Sequence, residues 1–116
     1  MSDLSKLEGA ELEDAIAGLG SGWSYQDQSL CKDFAFESFS ESADFVAALG
    51  ELSDDLEGHS PASVILRGNG VRLCLSTVSV QGVSEADIDF AQLADLLVDG
   101  AMADAVTSRY LDEVTA

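Results

Sequence analysis

The sequence predicts an α+β fold: a four-stranded antiparallel sheet with helices on one face, in the order α-β-β-α-β-β-α. Two observations predict it. Short strand-like runs come in pairs joined by tight polar turns. The helical segments between them carry one apolar stripe each, so each has one face to bury, and two hairpins covered by such helices form a two-layer domain.

The elements follow in order. Ser5-Lys6-Leu7-Glu8 reads as a capping box opening a helix, and Leu12, Ile16 and Leu19 give it a stripe at i, i+4, i+7. Gly18, Gly20 and Gly22 end it. Trp23 and Tyr25 alternate with polar residues, as in a half-buried strand. After a polar turn at Gln26-Asp27-Gln28, the run from Leu30 to Phe36 reads as the hairpin partner. Ser40 is the expected N-cap of the second helix. Phe45, Leu49, Leu52 and Leu56 form its core face, Glu41, Asp44, Glu51, Asp54 and Asp55 its other face, and Gly58 closes it.

Two strands are then predicted, Ser63 to Arg67 and Val71 to Thr77. Between them lies Gly68-Asn69-Gly70, whose Asn-Gly step is a strong hairpin signal. Val71, Leu73, Leu75 and Thr77 face one side of the second strand, and Arg72, Cys74 and Ser76 the other. Ser84 caps a long helix, with Asp87 at the N3 position of its capping box. Phe90, Leu93, Ala94 and Leu97 form the stripe of that helix. Gly100 interrupts the pattern. Residues 1–100 are expected to form the domain. Residues 101–116 form a C-terminal extension, read as a short helix from Met102, Val106 and Tyr110 at a spacing of four.

Composition narrows the function. The chain has 116 residues, enough for one compact domain. Apolar residues make up 47% of it, which argues against disorder despite the charge. Twenty-two acidic residues against 5 basic ones give a formal charge of −17. Such a surface repels nucleic acids and anionic membranes and attracts a basic or mixed protein surface; it also promotes solubility. Cys31 and Cys74 do not make a disulfide framework and read as two buried thiols in a reducing compartment. No apolar run approaches a membrane span. The start Met1-Ser2-Asp3 lacks the pattern of a signal peptide, so a cytoplasmic location is expected. One histidine and two distant cysteines lack zinc-ligand spacing, and the acids from Glu51 to Glu57 lack that of an EF-hand. No metal and no cofactor are expected.

Several motifs together resemble the pterin-4a-carbinolamine dehydratase family. Phe34-Ala35-Phe36-Glu37-Ser38-Phe39 with Phe45 is similar to its phenylalanine pattern. His59-Ser60-Pro61 lies where that family carries His-His-Pro. Val71 to Thr77 looks like a catalytic strand, Gly82-Val83-Ser84-Glu85-Ala86-Asp87 like the approach to its last helix, and Trp23 like its Gly-Trp start. The resemblance spans about residues 5–98 and implies the same fold.

The departures bear on chemistry. The family reaction removes water from a 4a-hydroxy pterin and needs imidazoles that both give and take a proton near neutral pH. This chain has a single histidine, His59. Ser60 replaces the second member of the pair, and the resemblance sets Arg72, which cannot exchange a proton, at a third histidine position. Ala62-Ser63-Val64 replace the aromatic residue after the proline. The vestigial pocket would comprise His59, Ser60, Pro61, Arg72 and Asp87. His59 reads either as a surviving acid or base or as a loop histidine. Arg72 reads as an anion ligand or a salt-bridge partner, and Asp87 as a pocket remnant or simply as a cap.

In size, acidity and missing histidines the chain resembles an acidic, catalytically degenerate branch of the family, encoded with α-carboxysomes, that assembles ribulose bisphosphate carboxylase (RuBisCO). That implies a non-catalytic assembly factor with RuBisCO as its protein client, carboxysome association and a homo-oligomer, dimer first. The candidate client-binding residues are Glu41, Asp44, Glu51, Asp54 and Asp55 on the second helix and Met102, Val106 and Tyr110 in the extension. The alternatives are a weak or altered dehydratase, using His59 with Asp87, and a dimerisation cofactor for another protein.

Overall fold

A computed structural model gives the structure of the chain and describes residues 5–56 and 59–98. The elements run α1 (Gly9–Ala17), β1 (Ser24–Gln26), β2 (Ser29–Ala35), α2 (Phe39–Asp55), β3 (Ser63–Arg67), β4 (Gly70–Leu75), a 3-10 turn at Val78–Val80 and α3 (Glu85–Leu96). The predicted α+β fold is therefore the fold observed. The four strands are antiparallel in the order β1-β2-β4-β3. The extension, with Met102, Val106 and Tyr110, lies outside the described residues.

Alternation along β4 decides which face the helices cover. Val71, Leu73 and Leu75 are buried; Arg72 and Cys74 between them are half-exposed on the open face. Leu30 and Phe34 of β2 join the first set. Phe45 and Leu49 of α2, with Ile88, Phe90, Ala91 and Ala94 of α3, close over it into one core. Leu12, Ile16 and Leu19, the stripe read for the first helix, pack on the edge of that core. Phe34 and Phe45 meet at 4.7 Å between ring centroids, and Phe36 and Phe45 at 5.1 Å. Burial of such rings dominates a core of this size.

An ion pair is sealed into this layer. Lys32 points inward between Leu30 and Phe34, and its Nζ donates to Asp95 Oδ1 of α3 at 2.7 Å. Asp95 Oδ2 accepts from the indole of Trp23 at 2.9 Å. The ammonium lies 4.9 Å from the Phe34 ring centroid and 5.6 Å from that of Trp23.

Two helix starts differ from the sequence reading. The first helix begins at Gly9, with Glu8 as N-cap and no side-chain cap bond, rather than at Ser5. The preceding residues are held elsewhere: the Leu7 N–H donates to Val83 O, and the Lys6 side chain lies over Gly82. The second helix is capped by Ser38, two residues before Ser40: Ser38 Oγ accepts from the Glu41 N–H at 3.1 Å. Glu41 in turn accepts from the Glu37 N–H.

The turns also refine the reading. Arg67 pairs with Gly70, so the β3–β4 loop is Gly68-Asn69 and Gly70 opens the strand. Gly68 takes φ +59° at the first central position, where a primed turn favours glycine. The β1–β2 turn places Asp27 and Gln28 at φ +50° and +65°, the left-handed pair of a type I′ hairpin without its glycine.

Candidate functional site

The site forms where the end of α2, the loop after β4 and the N-terminus of α3 converge. Thr77 follows β4, and its N–H donates to Gly82 O at 2.7 Å, which closes a tight loop over residues 78–81. That loop delivers Ser84 to the start of α3. There the predicted capping box is present: Ser84 Oγ accepts from the Asp87 N–H, and Asp87 Oδ2 accepts from the Ser84 N–H at 2.9 Å. Asp87 is wholly buried, and a carboxylate at a helix N-terminus is favoured by the helix dipole.

The box is only half of what Asp87 does. Thr77 Oγ1 donates to Asp87 Oδ2 at 2.7 Å. Having given its proton there, Thr77 accepts one from Ser84 Oγ at 2.7 Å. The other carboxylate oxygen, Oδ1, stands 2.7 Å from His59 Nε2. His59 is placed by its own N–H, which bonds to Leu56 O just past α2, and its ring meets the edge of Phe90. With Asp87 as a carboxylate, Nε2 carries the proton and Nδ1 is left as the exchangeable nitrogen. No described residue bonds Nδ1, and the side chain keeps 16% exposure. A buried carboxylate that fixes the tautomer and supports a developing imidazolium is the arrangement of a general base.

The other predicted residues do not all join this pair. Ser60 turns back to α2, with its hydroxyl 3.5 Å from Ser53 Oγ, and Pro61 is half-buried beside it. Arg72 does not join His59 and Asp87. It lies on the open face of the sheet, where Nη2 donates to Gln26 Oε1 at 3.1 Å and Nη1 stands 3.8 Å from Asp33. Its pKa is raised, first by hydrogen bonding with Cys74 and then by the charge of Asp33. His59 is paired through Asp87 on the helix side of the sheet, so Arg72 takes no part in its chemistry.

Thr77 and Ser84 complete the network and were read from sequence only as a strand end and a cap. The signal was available: Thr77 shares the buried face of Leu73 and Leu75, and an inward hydroxyl needs a partner. Of the α2 acids expected from sequence to meet a client, Glu51, Asp54 and Asp55 are exposed, Asp44 is half-buried, and Glu41 is engaged at the N-terminus of its own helix. No group of three or more histidine, cysteine or acidic side chains among the described residues is placed to hold a metal. No described helix is long and apolar enough to cross a membrane.

An open-faced sandwich with an imidazole–carboxylate pair at the cap of its last helix defines a small acid–base scaffold. Comparison with known proteins makes it specific. The chain belongs to the pterin 4 alpha carbinolamine dehydratase family, whose model matches residues 5–97. A protein of Sulfolobus acidocaldarius provisionally named pterin-4-alpha-carbinolamine dehydratase is 36% identical, over 75% of this chain and 92% of its own. One of Thermomicrobium roseum with the same provisional name is also 36% identical, over 75% and 97%. Among solved structures, a transcriptional coactivator/pterin dehydratase from Brucella melitensis superposes with a TM-score of 0.74 at 28% identity, covering 80% of this chain and 98% of that one. A pterin dehydratase-like protein identified as a RuBisCO assembly factor in the alpha-carboxysome superposes with a TM-score of 0.58 at 30% identity, covering 67% and 90%.

Proposed function

We propose that this chain is a pterin dehydratase-like protein that no longer works as a dehydratase and instead assembles a protein client, RuBisCO, in association with α-carboxysomes. The observation that carries the reading is the single histidine. Dehydration of a carbinolamine needs one group to donate to the leaving hydroxyl and another to take a proton from the ring. The site offers one imidazole, held by Asp87, while Ser60 turns back to α2 and Arg72 lies on the other face of the sheet. Each well-placed acid or base is worth roughly 10²–10⁴ in rate. The client itself rests on the likeness to the carboxysomal assembly factor.

The second helix supports a protein-binding role. Glu51, Asp54 and Asp55 fall in its last turns, no basic residue stands in its last turn, and no described cation pairs with them. Acids there oppose the helix dipole and one another, at about 0.3–1 kcal/mol each. A surface that gives up stability in this way suits a basic or mixed partner, which it would attract in a salt-dependent manner. A homodimer is part of the reading, because β3 is a sheet edge with Ile65 and Leu66 exposed, and unpaired edges are commonly covered across a two-fold axis.

The test is binding and assembly of α-carboxysomal RuBisCO by the intact chain, by a Glu51→Lys/Asp54→Lys/Asp55→Lys variant and by a chain lacking residues 101–116. Binding by the intact chain that weakens with salt and with charge reversal supports the reading. No binding by the intact chain removes the client. A second reading, a slow or altered dehydratase, is favoured by the His59–Asp87 pair itself. It predicts a low turnover that His59→Ala abolishes.

A further inference from the structure

The face of the sheet that carries no helix holds both cysteines of the chain, and the strand register sets them opposite each other: Cys31 of β2 is the direct partner of Cys74 of β4. The phase of that ladder is fixed further along. The Phe36 N–H donates to Asn69 O at 2.7 Å, so residues 36 and 69 form a hydrogen-bonded pair. Antiparallel pairs alternate in kind. Counting back, Phe34–Val71, Lys32–Leu73 and Leu30–Leu75 are bonded pairs. Ala35–Gly70, Asp33–Arg72 and Cys31–Cys74 are the close, non-bonded ones. Such pairs hold their Cα atoms about 4.5 Å apart with the side chains drawn together, inside the span of roughly 4.4–6.8 Å that a disulfide bridges. Both thiols are free; Cys31 is buried and Cys74 half-exposed.

We propose that Cys31 and Cys74 form a dithiol modification site on the open face of the sheet, which a low-molecular-weight disulfide converts into a bond between β2 and β4. The exposure orders the steps. The Cys74 thiolate attacks one sulfur of the reagent and expels the first reagent thiolate, leaving a mixed disulfide at Cys74. Cys31 gives up its proton and attacks the Cys74 sulfur, and the second reagent thiolate leaves. One reagent disulfide is reduced to two thiols, and the two protein thiols are oxidised to one bond. Arg72 stands two residues before Cys74 on the same face of β4, which sets a cationic side chain beside the first nucleophile. Cys31 is a poor first nucleophile because its thiol is buried and raised to about 12. It acts once its partner sulfur is activated beside it.

The test uses the folded full chain with excess glutathione disulfide, read by intact mass and by peptide mapping. The expected result is a monomer lighter by two hydrogens with Cys31 linked to Cys74, reversed by dithiothreitol. The Cys31→Ser variant should stop at a glutathione adduct on Cys74, and Cys74→Ser should remain unmodified in the folded state. A stable adduct on the intact chain without ring closure, a link only between two chains, or no reaction of the folded protein would each overturn the proposal. Because the central measurement is on the unsubstituted chain, a variant that fails to fold does not remove the answer.

Discussion

Trp23 and Asp95 stand 72 residues apart in sequence and meet in a buried hydrogen bond of 2.9 Å, with Lys32 on the other oxygen of the same carboxylate. This bond ties the segment after α1 to the last helix through the central strand. Asp95→Ala leaves the Lys32 charge and the indole N–H without their partner, and breaking a buried pair on one side costs about 3–5 kcal/mol. Both charged side chains keep slight exposure, 17% and 11%, so the lower end is expected. Denaturant titration should show a loss of about 3 kcal/mol; a loss under about 1 kcal/mol would mean water already serves both groups. Gly20→Ala should act on the same point, since its Cβ would stand 2.9 Å from Asp95 Oδ2.

The cap network separates two roles for Asp87. Asp87→Ala removes the acceptor of Thr77 Oγ1, the Ser84 N–H and His59 Nε2 together, so a loss of about 2–3 kcal/mol is expected. His59→Ala removes one partly exposed donor, so about 1 kcal/mol or less is expected. Thermal melts that show equal losses would mean that the imidazole, and not the cap, anchors this end of α3.

The type I′ turn offers a gain in stability. Gln28 holds φ +65°, which costs a non-glycine residue roughly 1–2 kcal/mol, and glycine returns about 0.5–1 kcal/mol of that as unfolded-state entropy. Gln28→Gly should therefore raise stability by about 0.5–1 kcal/mol. An unchanged melting curve would show that the left-handed conformation is supported by the side chain.

How far the sequence could be read depended on whether the signal was local. The Ser63–Arg67 strand and the Ser84–Asp87 box were legible because alternation and cap spacing act within a few residues. The start of α1 was not. Ser5 and Glu8 have the capping spacing, but the pairing of Leu7 with Val83 overrides it, and that contact is invisible locally. Arg72 shows two signals in conflict. Motif matching set it in the pocket, whereas alternation with Val71 and Leu73 placed it on the other face, and the pleat decided. Lys32 and Asp95 were not singled out from the sequence, because each is explained only by the other, 63 residues away. His59 and Asp87 were paired from sequence only as an alternative; their contact is long-range.

The buried thiol gives a signed pH dependence. Burial first, then hydrogen bonding with Cys74 and then its charge, raises Cys31 from 9.0 to about 12. The unfolded chain therefore loses this proton at a lower pH than the folded chain. The stability contributed by the neutral thiol is complete below about pH 9 and is lost as the pH rises through about 12. Across that window the melting temperature of the intact chain should fall more steeply than that of Cys31→Val. Parallel curves would show that Cys31 is not a source of alkaline instability.

Loss of the dehydratase reaction is the step on which the proposed assembly role depends most. The direct measurement is the rate of pterin-4a-carbinolamine dehydration by the intact chain beside a family member that carries the full His-His-Pro motif, at equal concentration and pH. With one imidazole in place of a donor–acceptor set, turnover slower by at least about 10²-fold is predicted. A rate comparable to that of the intact enzyme would contradict it and make His59 and Asp87 a working active site.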